Sequence, residues 1–343
     1  MPTEHSQKIA SLELGRIISM FAIVLLHNHI LISAPLFDGT PWVGYIVNQL
    51  ARFSVPFFFL LSGYLIQPKL SSDPFHTLIS YSLPLIKIWV VWSVICLLMP
   101  FNWEMWTTQG YMAERSAYWG WLMQNPLNTF MEGGLVHLWF IPGLVCAVAI
   151  IALGVKLQIT VLLPVVAIAL YLYGVAAGSY DSITGIVAPF FTRNGPFFST
   201  LLVLLGYEIR RKNYTLSIQV ASLLAVIGMC IHFFEAYWLT GFDKAFNIHD
   251  FLLGTPFWGL GLFFILLNNP LWGNHPYVFK LSSMVLGVYI VHLPVVIAMQ
   301  NITGMLGLET YIRDIVLVAG TTIVTLLFVW LVSRTILRKV FFR

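Results

Sequence analysis

Ten long apolar stretches follow one another along the chain, and they constrain its fold more than any other feature. A helix that crosses a bilayer needs about 20 predominantly apolar residues, and these stretches are of that order. They cover approximately residues 11–34, 41–66, 76–100, 136–155, 157–177, 194–210, 215–237, 250–270, 280–300 and 313–335. The sequence therefore predicts an all-α fold, a polytopic membrane helix bundle of about ten transmembrane helices. It predicts a single domain over residues 1–343.

The composition excludes several other classes of protein. Only 9% of the residues are charged and 59% are hydrophobic, whereas soluble domains carry about 25% charged residues. The net charge of +4 comes from dispersed basic residues, so no nucleic-acid partner is expected. Cys96, Cys146 and Cys230 each lie inside an apolar run. This placement predicts neither a disulfide framework nor a metal site.

The distribution of Lys and Arg predicts the orientation of the chain. With a cytoplasmic N-terminus, the basic residues on the cytoplasmic side are Lys8, Arg16, Lys69, Lys156, Arg210, Arg211, Lys212, Lys280, Arg334, Arg338, Lys339 and Arg343. Those on the opposite side are Arg115, Arg193, Lys244 and Arg313. This imbalance predicts a membrane protein with both termini in the cytoplasm, N-in and C-in. The loop 101–135 then lies outside, as a short interfacial helix or a lid.

Two ionisable residues share one face of the first stretch. Arg16 and His27 are eleven residues apart, which rotates a helix by about 20° net and separates them by about 16 Å. The same arithmetic places His29 on the opposite face. Ionisable side chains inside a bilayer cost about 2.5 kcal/mol or more, so each is a functional candidate. The alternatives are an orientation anchor for Arg16 and a helix-packing hydrogen bond for His27.

The second stretch carries Arg52 within QLARFSVPFFFLLSGYLI. A guanidinium at that depth must face a cavity, a partner or an anionic ligand. Gly63 is better explained by close helix packing than by chemistry. Ser62 is a candidate site residue, although it could equally return a hydrogen bond to its own backbone.

Further polar residues recur at the ends of later stretches. His137 and Trp139 begin one stretch, and Arg193 precedes another. Tyr289 and His292 are three residues apart and share a helix face. Together these residues predict a polar pocket enclosed by the bundle.

Several segments resemble signatures of the acyltransferase family 3 membrane proteins. They are the Arg16-x10-His27 spacing with Glu13 before it, and then SVPFFFLLSGYLI, HLWFIPGL, GPFFSTLLVLLGYEI and GVYIVHLPVV in order. Among family members, the chain is most similar to the enterobacterial common antigen O-acetyltransferase type, and next to the intercellular-adhesin O-acyltransferases.

The resemblance implies an O-acetyltransferase of the bacterial inner membrane that uses acetyl-CoA from the cytoplasm as the acyl donor and binds no permanent cofactor. The acceptor is a hydroxyl of a cell-envelope polysaccharide or lipid-linked sugar, and membrane lipids and a protein of the glycan assembly pathway are the other partners. In the family, the Arg and His of the first span are regarded as essential, which makes Arg16 and His27 the catalytic residues here. The residues expected to bind substrate are Glu13, Arg52, Ser62, Tyr64, His137, Trp139, Arg193, Tyr289 and His292.

The chain departs from the family pattern at two places. Glu13 stands where the family usually has Asp. The clustered basic residues that commonly follow SGYL are reduced to Lys69, His76 and a displaced Lys87. This second departure leaves open how the donor phosphates are held.

The chemistry of acyl transfer suits these residues. Arg16 is expected to bind the phosphate end of the donor, and His27 to act at its thioester, either as a general base or as a transiently acylated nucleophile. Arg52 is expected to hold the thioester carbonyl or stabilise the oxyanion. The alternative from another class is a transporter or flippase for a sugar-lipid or small polar solute, in which the same residues line a pathway. A purely structural scaffold would leave Arg52 unexplained.

Overall fold

The computed structural model describes residues 9–342, which fold into α-helices with no β-strand in this part of the chain. The helices are α1 Ala10–Asn28, α2 Trp42–Leu50, α3 Ser54–Ser72, α4 Pro74–Leu98, α5 Trp103–Gln109, α6 Tyr111–Met123, α7 Pro126–Glu132, α8 Phe140–Lys156, α9 Leu163–Ala176, α10 Asp181–Thr184, α11 Pro196–Lys212, α12 Ile218–Trp238, α13 Thr255–Asn268, α14 Pro276–Ser282, α15 Val285–Met305, α16 Thr310–Ser333 and α17 Arg338–Phe341. Lys8 and Arg343, which entered the orientation argument, lie outside the described residues.

Seven segments are long and apolar enough to cross a membrane. They are Ala10–Asn28, Trp42–Ser72, Pro74–Leu98, Val136–Lys156, Ile218–Phe242, Val285–Met305 and Thr310–Ser333. This confirms a multi-pass membrane helix bundle. The helices α9 and α13 are apolar but shorter, and α11, which ends in three basic residues, is 17 residues long. Each of the ten predicted stretches therefore contains a helix, but seven meet the length and hydropathy expected of a span.

The bundle has an interior and a periphery. Segments α1, α3, α8 and α15 bury much of their surface, whereas α4, α12 and α16 are largely exposed. The exposed faces of these outer helices carry large apolar side chains, such as Leu83 of α4 and Ile315 of α16. In lipid such faces need no covering protein, because the hydrocarbon is as apolar as they are.

Helices α3 and α11 approach so closely that their backbones meet. A Cβ atom added to Gly63 would lie 1.9 Å from the carbonyl oxygen of Val203, and one added to Gly206 would lie 1.9 Å from that of Leu60. Only glycine fits at either position. The packing role predicted for Gly63 is confirmed.

The first helix ends earlier than its apolar run predicts. Helix α1 stops at Asn28, because His29 (φ 49°) and Leu31 (φ 58°) adopt left-handed backbone conformations. The N–H of Leu31 then donates a 2.7 Å hydrogen bond to Asp314 Oδ2 on α16. His27 consequently lies in the last turn of α1.

The loop 101–135 forms three short helices, α5 to α7, rather than a single one. Its fold rests on Glu114, which accepts hydrogen bonds from the N–H groups of Phe101 (2.9 Å) and Asn102 (3.0 Å) and pairs with the fully buried Arg115. Burial raises the pKa of Glu114, but the hydrogen bonds from Arg115 and the two backbone N–H groups outweigh it and hold that pKa below its usual value. The loop is thus stabilised by contacts among its own residues.

Candidate functional site

A narrow cavity of about 170 Å³ lies inside the bundle, between α1, α3, α8, α11 and α15. Its walls are largely apolar and include Ile23, Val55, Phe58, Phe140 and Phe198. Its polar lining consists of Arg16, His27, Arg52, His137, Trp139, Asp250, Tyr289 and His292. We call it the histidine cavity. A few convergent polar groups in an apolar enclosure are typical of a small-molecule site.

Three imidazole rings meet in this cavity although they come from distant parts of the sequence. The ring centroid of His292 lies 5.1 Å from that of His27 and 5.3 Å from that of His137. They converge because α15 packs against α1 and against the 3₁₀ segment Val136–Trp139.

Hydrogen bonds to backbone carbonyls fix the tautomers of two of these histidines. His292 Nδ1 donates to the Tyr289 carbonyl oxygen at 2.6 Å, and His137 Nε2 donates to the Ile290 carbonyl oxygen at 2.9 Å. A carbonyl oxygen can only accept, so each of these nitrogens carries the proton. His292 Nε2 and His137 Nδ1 are then bare acceptors, and both are buried without a partner.

His27 differs from these two residues because its ring has no hydrogen-bond partner within residues 9–342. It lines the cavity and is half-buried. An imidazole that faces a cavity and is not committed to the backbone can take up or release a proton there. His27 is therefore the histidine of the three that is best placed for chemistry.

Arg52 lies in a 3₁₀ turn, Ala51–Phe53, that interrupts the second apolar stretch between α2 and α3. It forms an ion pair with Asp250, in the loop before α13. It also donates to Asn48 Oδ1 (3.2 Å) and to the Asn247 carbonyl (3.1 Å). Its Nε–H is buried without a partner among the described residues. Three of the five guanidinium N–H donors are thus occupied by protein, which leaves Nε–H and one Nη1–H free at a residue that lines the cavity.

Asp250 joins this arginine to a second one. Its other carboxylate oxygen accepts from Arg193 at 3.0 Å, and Arg193 also donates to Glu132 at 2.7 Å. Burial raises the pKa of Asp250, but Arg193 and then Arg52 outweigh it and keep that pKa below its usual value. Asn194 extends the network by donating to Glu132 at 3.2 Å. We call Arg52, Asp250, Arg193 and Glu132 the paired network.

Arg16 lies toward the other end of the cavity. It donates to Glu13 at 3.0 Å, three residues earlier on α1, and its side chain remains 27% exposed. Glu13 in turn accepts a hydrogen bond from Ser282 of α14. Glu13 therefore does not line the cavity but orients Arg16, which does.

Beyond the paired network, a wider polar groove of about 600 Å³ opens on the molecular surface. It is lined by the loops before α11 and α13 and by α7, and it includes Asn128, Arg193, His249 and Asp250. Asp250 lines both the groove and the histidine cavity. We call this space the outer groove. The two cavities thus meet at one carboxylate.

No group of three or more His, Cys, Asp or Glu side chains in residues 9–342 has an arrangement that could hold a metal ion.

Comparison with known proteins identifies the family. A sequence profile of acyltransferase family 3, described as an acyltransferase domain, matches residues 9–334. The chain belongs to this acyltransferase family. Over 316 residues it is also 26% identical to a protein of Enterococcus faecalis named amino-acid racemase. That alignment covers 85% of this chain but 42% of the racemase, so the chain spans less than half of that relative's length. No solved structure matches the chain.

The acyltransferase fold gathers most of the residues that the sequence singled out. Those that line the histidine cavity are Arg16, His27, Arg52, His137, Trp139, Tyr289 and His292. Arg193 reaches the cavity through Asp250, and Glu13 through Arg16. His29 is exposed and does not line the cavity, but the helical rotation that predicted this does not apply, because His29 lies beyond the end of α1 in a left-handed conformation.

Two predicted substrate-binding residues of this acyltransferase lie elsewhere. Ser62 donates to the Phe58 carbonyl at 2.7 Å, which is the backbone hydrogen bond that the sequence left as an alternative. The hydroxyl of Tyr64 accepts a hydrogen bond from Arg210 at 3.0 Å. The SGYL segment places both on faces of α3 that turn away from the cavity.

Sequence reasoning missed the two acidic members of the paired network as site residues. Asp250 and Glu132 are single carboxylates in connecting segments, where acidic residues are ordinary. One signal was available. An arginine inside an apolar stretch, such as Arg52, requires an anionic partner. Asp250 stands at the outer end of the apolar stretch 250–270 and was a candidate for that partner.

Proposed function

We propose that the protein is an integral membrane O-acetyltransferase that moves an acetyl group from cytoplasmic acetyl-CoA to a hydroxyl of a cell-envelope polysaccharide or lipid-linked sugar, as in the enterobacterial common antigen type. The observation that carries this proposal is the position of His27, whose ring has no hydrogen-bond partner within residues 9–342, in a narrow cavity between Arg16 and the outer groove. Membership of the acyltransferase family supports the reaction class.

The size of the histidine cavity supports a site that holds only the reacting groups of the two substrates, the thioester and one hydroxyl. At about 170 Å³ it is smaller than the ~300–1,000 Å³ that encloses a whole ligand. An acetyl thioester entering past Arg16 and a single hydroxyl entering from the outer groove would fit, while the rest of each substrate stays outside. Under this proposal the aromatic and polar residues at the mouth, such as Trp139, contact the acceptor.

The reaction then runs as direct transfer with His27 as general base. His27 takes the proton of the acceptor hydroxyl while that oxygen forms a bond to the thioester carbonyl carbon. The carbonyl oxygen becomes an oxyanion, which the free Nε–H of Arg52 stabilises. When the oxyanion collapses, the carbon–sulfur bond breaks and the CoA thiolate takes the proton from His27. Acetyl label trapped on the protein in the absence of acceptor would instead favour an acylated His27.

We further propose that all ten helices that match the apolar stretches are embedded in the inner membrane, with both termini in the cytoplasm. The Lys and Arg distribution supports this orientation. Reporter fusions after residue 343 should be active as cytoplasmic reporters, and fusions within 101–135 as periplasmic ones. A periplasmic C-terminus would contradict the orientation and the side from which the donor enters.

The reaction is tested on His27 with a matched control on the same helix. His27→Ala should lower acetyl transfer from radiolabelled acetyl-CoA by about 10²-fold or more, while acetyl-CoA binding by calorimetry changes little. His29→Ala, which removes an exposed imidazole outside the cavity, should retain activity.

Two results of this experiment would contradict the proposed function. An active His27→Ala beside an inactive His29→Ala would mean that the catalytic residue is wrong. Wild-type protein that neither hydrolyses nor transfers acetyl-CoA, but moves a sugar-lipid or solute across proteoliposome membranes, would establish the transporter alternative.

A further inference from the structure

A second cavity adjoins the histidine cavity at its Arg16 end. It has a volume of about 470 Å³, and Arg16 and Leu286 line both spaces. Its charged lining consists of Arg16, Lys280, Arg334 and Arg338, and among residues 9–342 no carboxylate lines it. We call this space the inner basin.

The fold brings these cations together from three separate segments. Lys280 lies on α14, which packs against α1 near Arg16. Arg334 directly follows α16, and Arg338 begins α17. Because α15 packs against both α1 and α16, the ends of these segments surround one space.

Arg16 is paired with Glu13, but the other three basin cations are not committed to acidic partners in the described part of the chain. Within residues 9–342, no ion pair involves Lys280, Arg334 or Arg338, and all three are exposed. The guanidinium of Arg334 lies 3.8 Å from the centroid of the Trp330 ring, which holds it over the basin. Three unpaired cations around one cavity repel one another, so this arrangement favours an anion between them.

A simpler explanation is that these residues only orient the helices in the membrane. Positive-inside anchors need to lie near the cytoplasmic ends of helices, but they need not face a common cavity. Lys69, for comparison, is exposed near the end of α3 and lines neither the basin nor the histidine cavity. An orientation role does not explain why these cations face one cavity. It also does not explain why that cavity adjoins the space that holds His27.

We propose that the inner basin binds the phosphate groups of the acyl donor through Lys280, Arg334 and Arg338. This inference rests on the proposed function. Arg16 lies at the junction, where the chain that links the phosphates to the thioester passes from the basin into the histidine cavity. The basin thereby takes the place of the basic cluster that is missing after SGYL. Charge-assisted hydrogen bonds from arginine and lysine to phosphate are strong enough to anchor such a donor.

Phosphate chemistry could also come from the headgroup of an anionic phospholipid. The experiment therefore compares three donors: acetyl-CoA, acetyl-dephospho-CoA, which lacks the ribose phosphate, and S-acetylpantetheine, which lacks all phosphates. Full-length protein is assayed for binding and for His27-dependent transfer or hydrolysis in nanodiscs of phosphatidylcholine alone and with phosphatidylglycerol. The variants are Arg334→Ala combined with Arg338→Ala, and Lys69→Ala as the matched control.

We expect the double variant to weaken acetyl-CoA binding by about tenfold or more, since two charged contacts are lost. Its turnover of S-acetylpantetheine at saturation should equal that of the wild type. Its loss of affinity for acetyl-dephospho-CoA should be smaller than its loss for acetyl-CoA and larger than its loss for S-acetylpantetheine. Lys69→Ala should change acetyl-CoA affinity less than threefold. The loss should be the same in both nanodisc compositions.

Other outcomes would overturn the inference. If the double variant binds acetyl-CoA like the wild type, the basin does not hold the donor. If its defect appears only with phosphatidylglycerol, the basin binds lipid headgroups instead. In either case, activity that still depends on His27 would leave the proposed function standing, whereas a wild type that turns over none of the three donors would reject the proposed function itself.

Discussion

The two ends of the histidine cavity use charge in opposite ways. At the outer end, Arg52 and Arg193 share Asp250, and Arg193 also pairs with Glu132, so two cations meet two carboxylates. At the inner end, Arg16, Lys280, Arg334 and Arg338 surround one space, and among residues 9–342 Arg16 is the one of these four that has an ion-pair partner, Glu13.

This difference distinguishes charged residues that stabilise the fold from charged residues that can bind a ligand. Buried ions must be compensated within the fold, because an unpaired buried charge costs several kcal/mol. Exposed ions remain solvated, so they can stay unpaired until an anion arrives. The paired network therefore belongs to the structure, whereas the inner basin is available for binding.

The largest expected effect contrasts one substitution at each end. Asp250→Asn keeps the side-chain shape but leaves two partly buried guanidinium groups without their shared anion, and it should lower the free energy of unfolding by about 2–3 kcal/mol. Arg334→Ala removes an exposed cation and should change it by no more than about 0.5 kcal/mol. Unfolding in mixed micelles by SDS titration measures both.

Asp243→Asn serves as the matched control for Asp250→Asn. Asp243 lies in the same connecting segment but is exposed, and asparagine suits its left-handed backbone conformation (φ 60°). The contrast between the two ends would be broken if Asp250→Asn and Asp243→Asn proved equally stable, or if Arg334→Ala destabilised the protein as much as Asp250→Asn.

A smaller effect concerns His249, which lines the outer groove beside Asp250. Burial, and then the charge of Arg52, lower the pKa of His249 to about 4. Above pH ~6.5 the ring is neutral in both folded and unfolded protein. As pH falls from there toward 4, the unfolded chain binds a proton that the folded protein refuses, so stability declines over this window.

His249→Gln should therefore flatten the decline of the melting temperature between pH 7.5 and 4.5. His76→Gln, at an exposed position on α4, provides the control. Superimposable pH profiles for wild type and His249→Gln would show that the outer groove does not stabilise the neutral ring.

The sequence predicted the membrane bundle and much of the cavity because both follow from local patterns. Apolar runs of sufficient length require membrane helices, and the spacing of Arg16 and His27 fixes their common face. His137, Tyr289 and His292 stood out because polar groups inside apolar stretches need a reason to be there.

What the sequence could not supply was the meeting of segments that no local pattern connects. Asp250 and Arg193 are brought to Arg52 by the packing of loops around α11 and α13, and the inner basin exists only because the ends of α14 and α16 converge. The early end of α1 depends on Asp314, which is 283 residues from Leu31 in sequence. The turn at Arg52 interrupts an apolar run that looks continuous.

The close approach of α3 and α11, at Gly63 against Val203 and at Gly206 against Leu60, has a mechanical consequence. Because each glycine leaves no gap against the opposite backbone, α3 and α11 cannot slide or rotate against each other and behave as one rigid part. Arg52 sits just before α3 and Arg193 just before α11. The two guanidinium groups therefore keep a fixed position relative to each other. If the cavity opens to admit a substrate, the movement must occur in the opposite wall, where α1 and α15 carry His27 and His292.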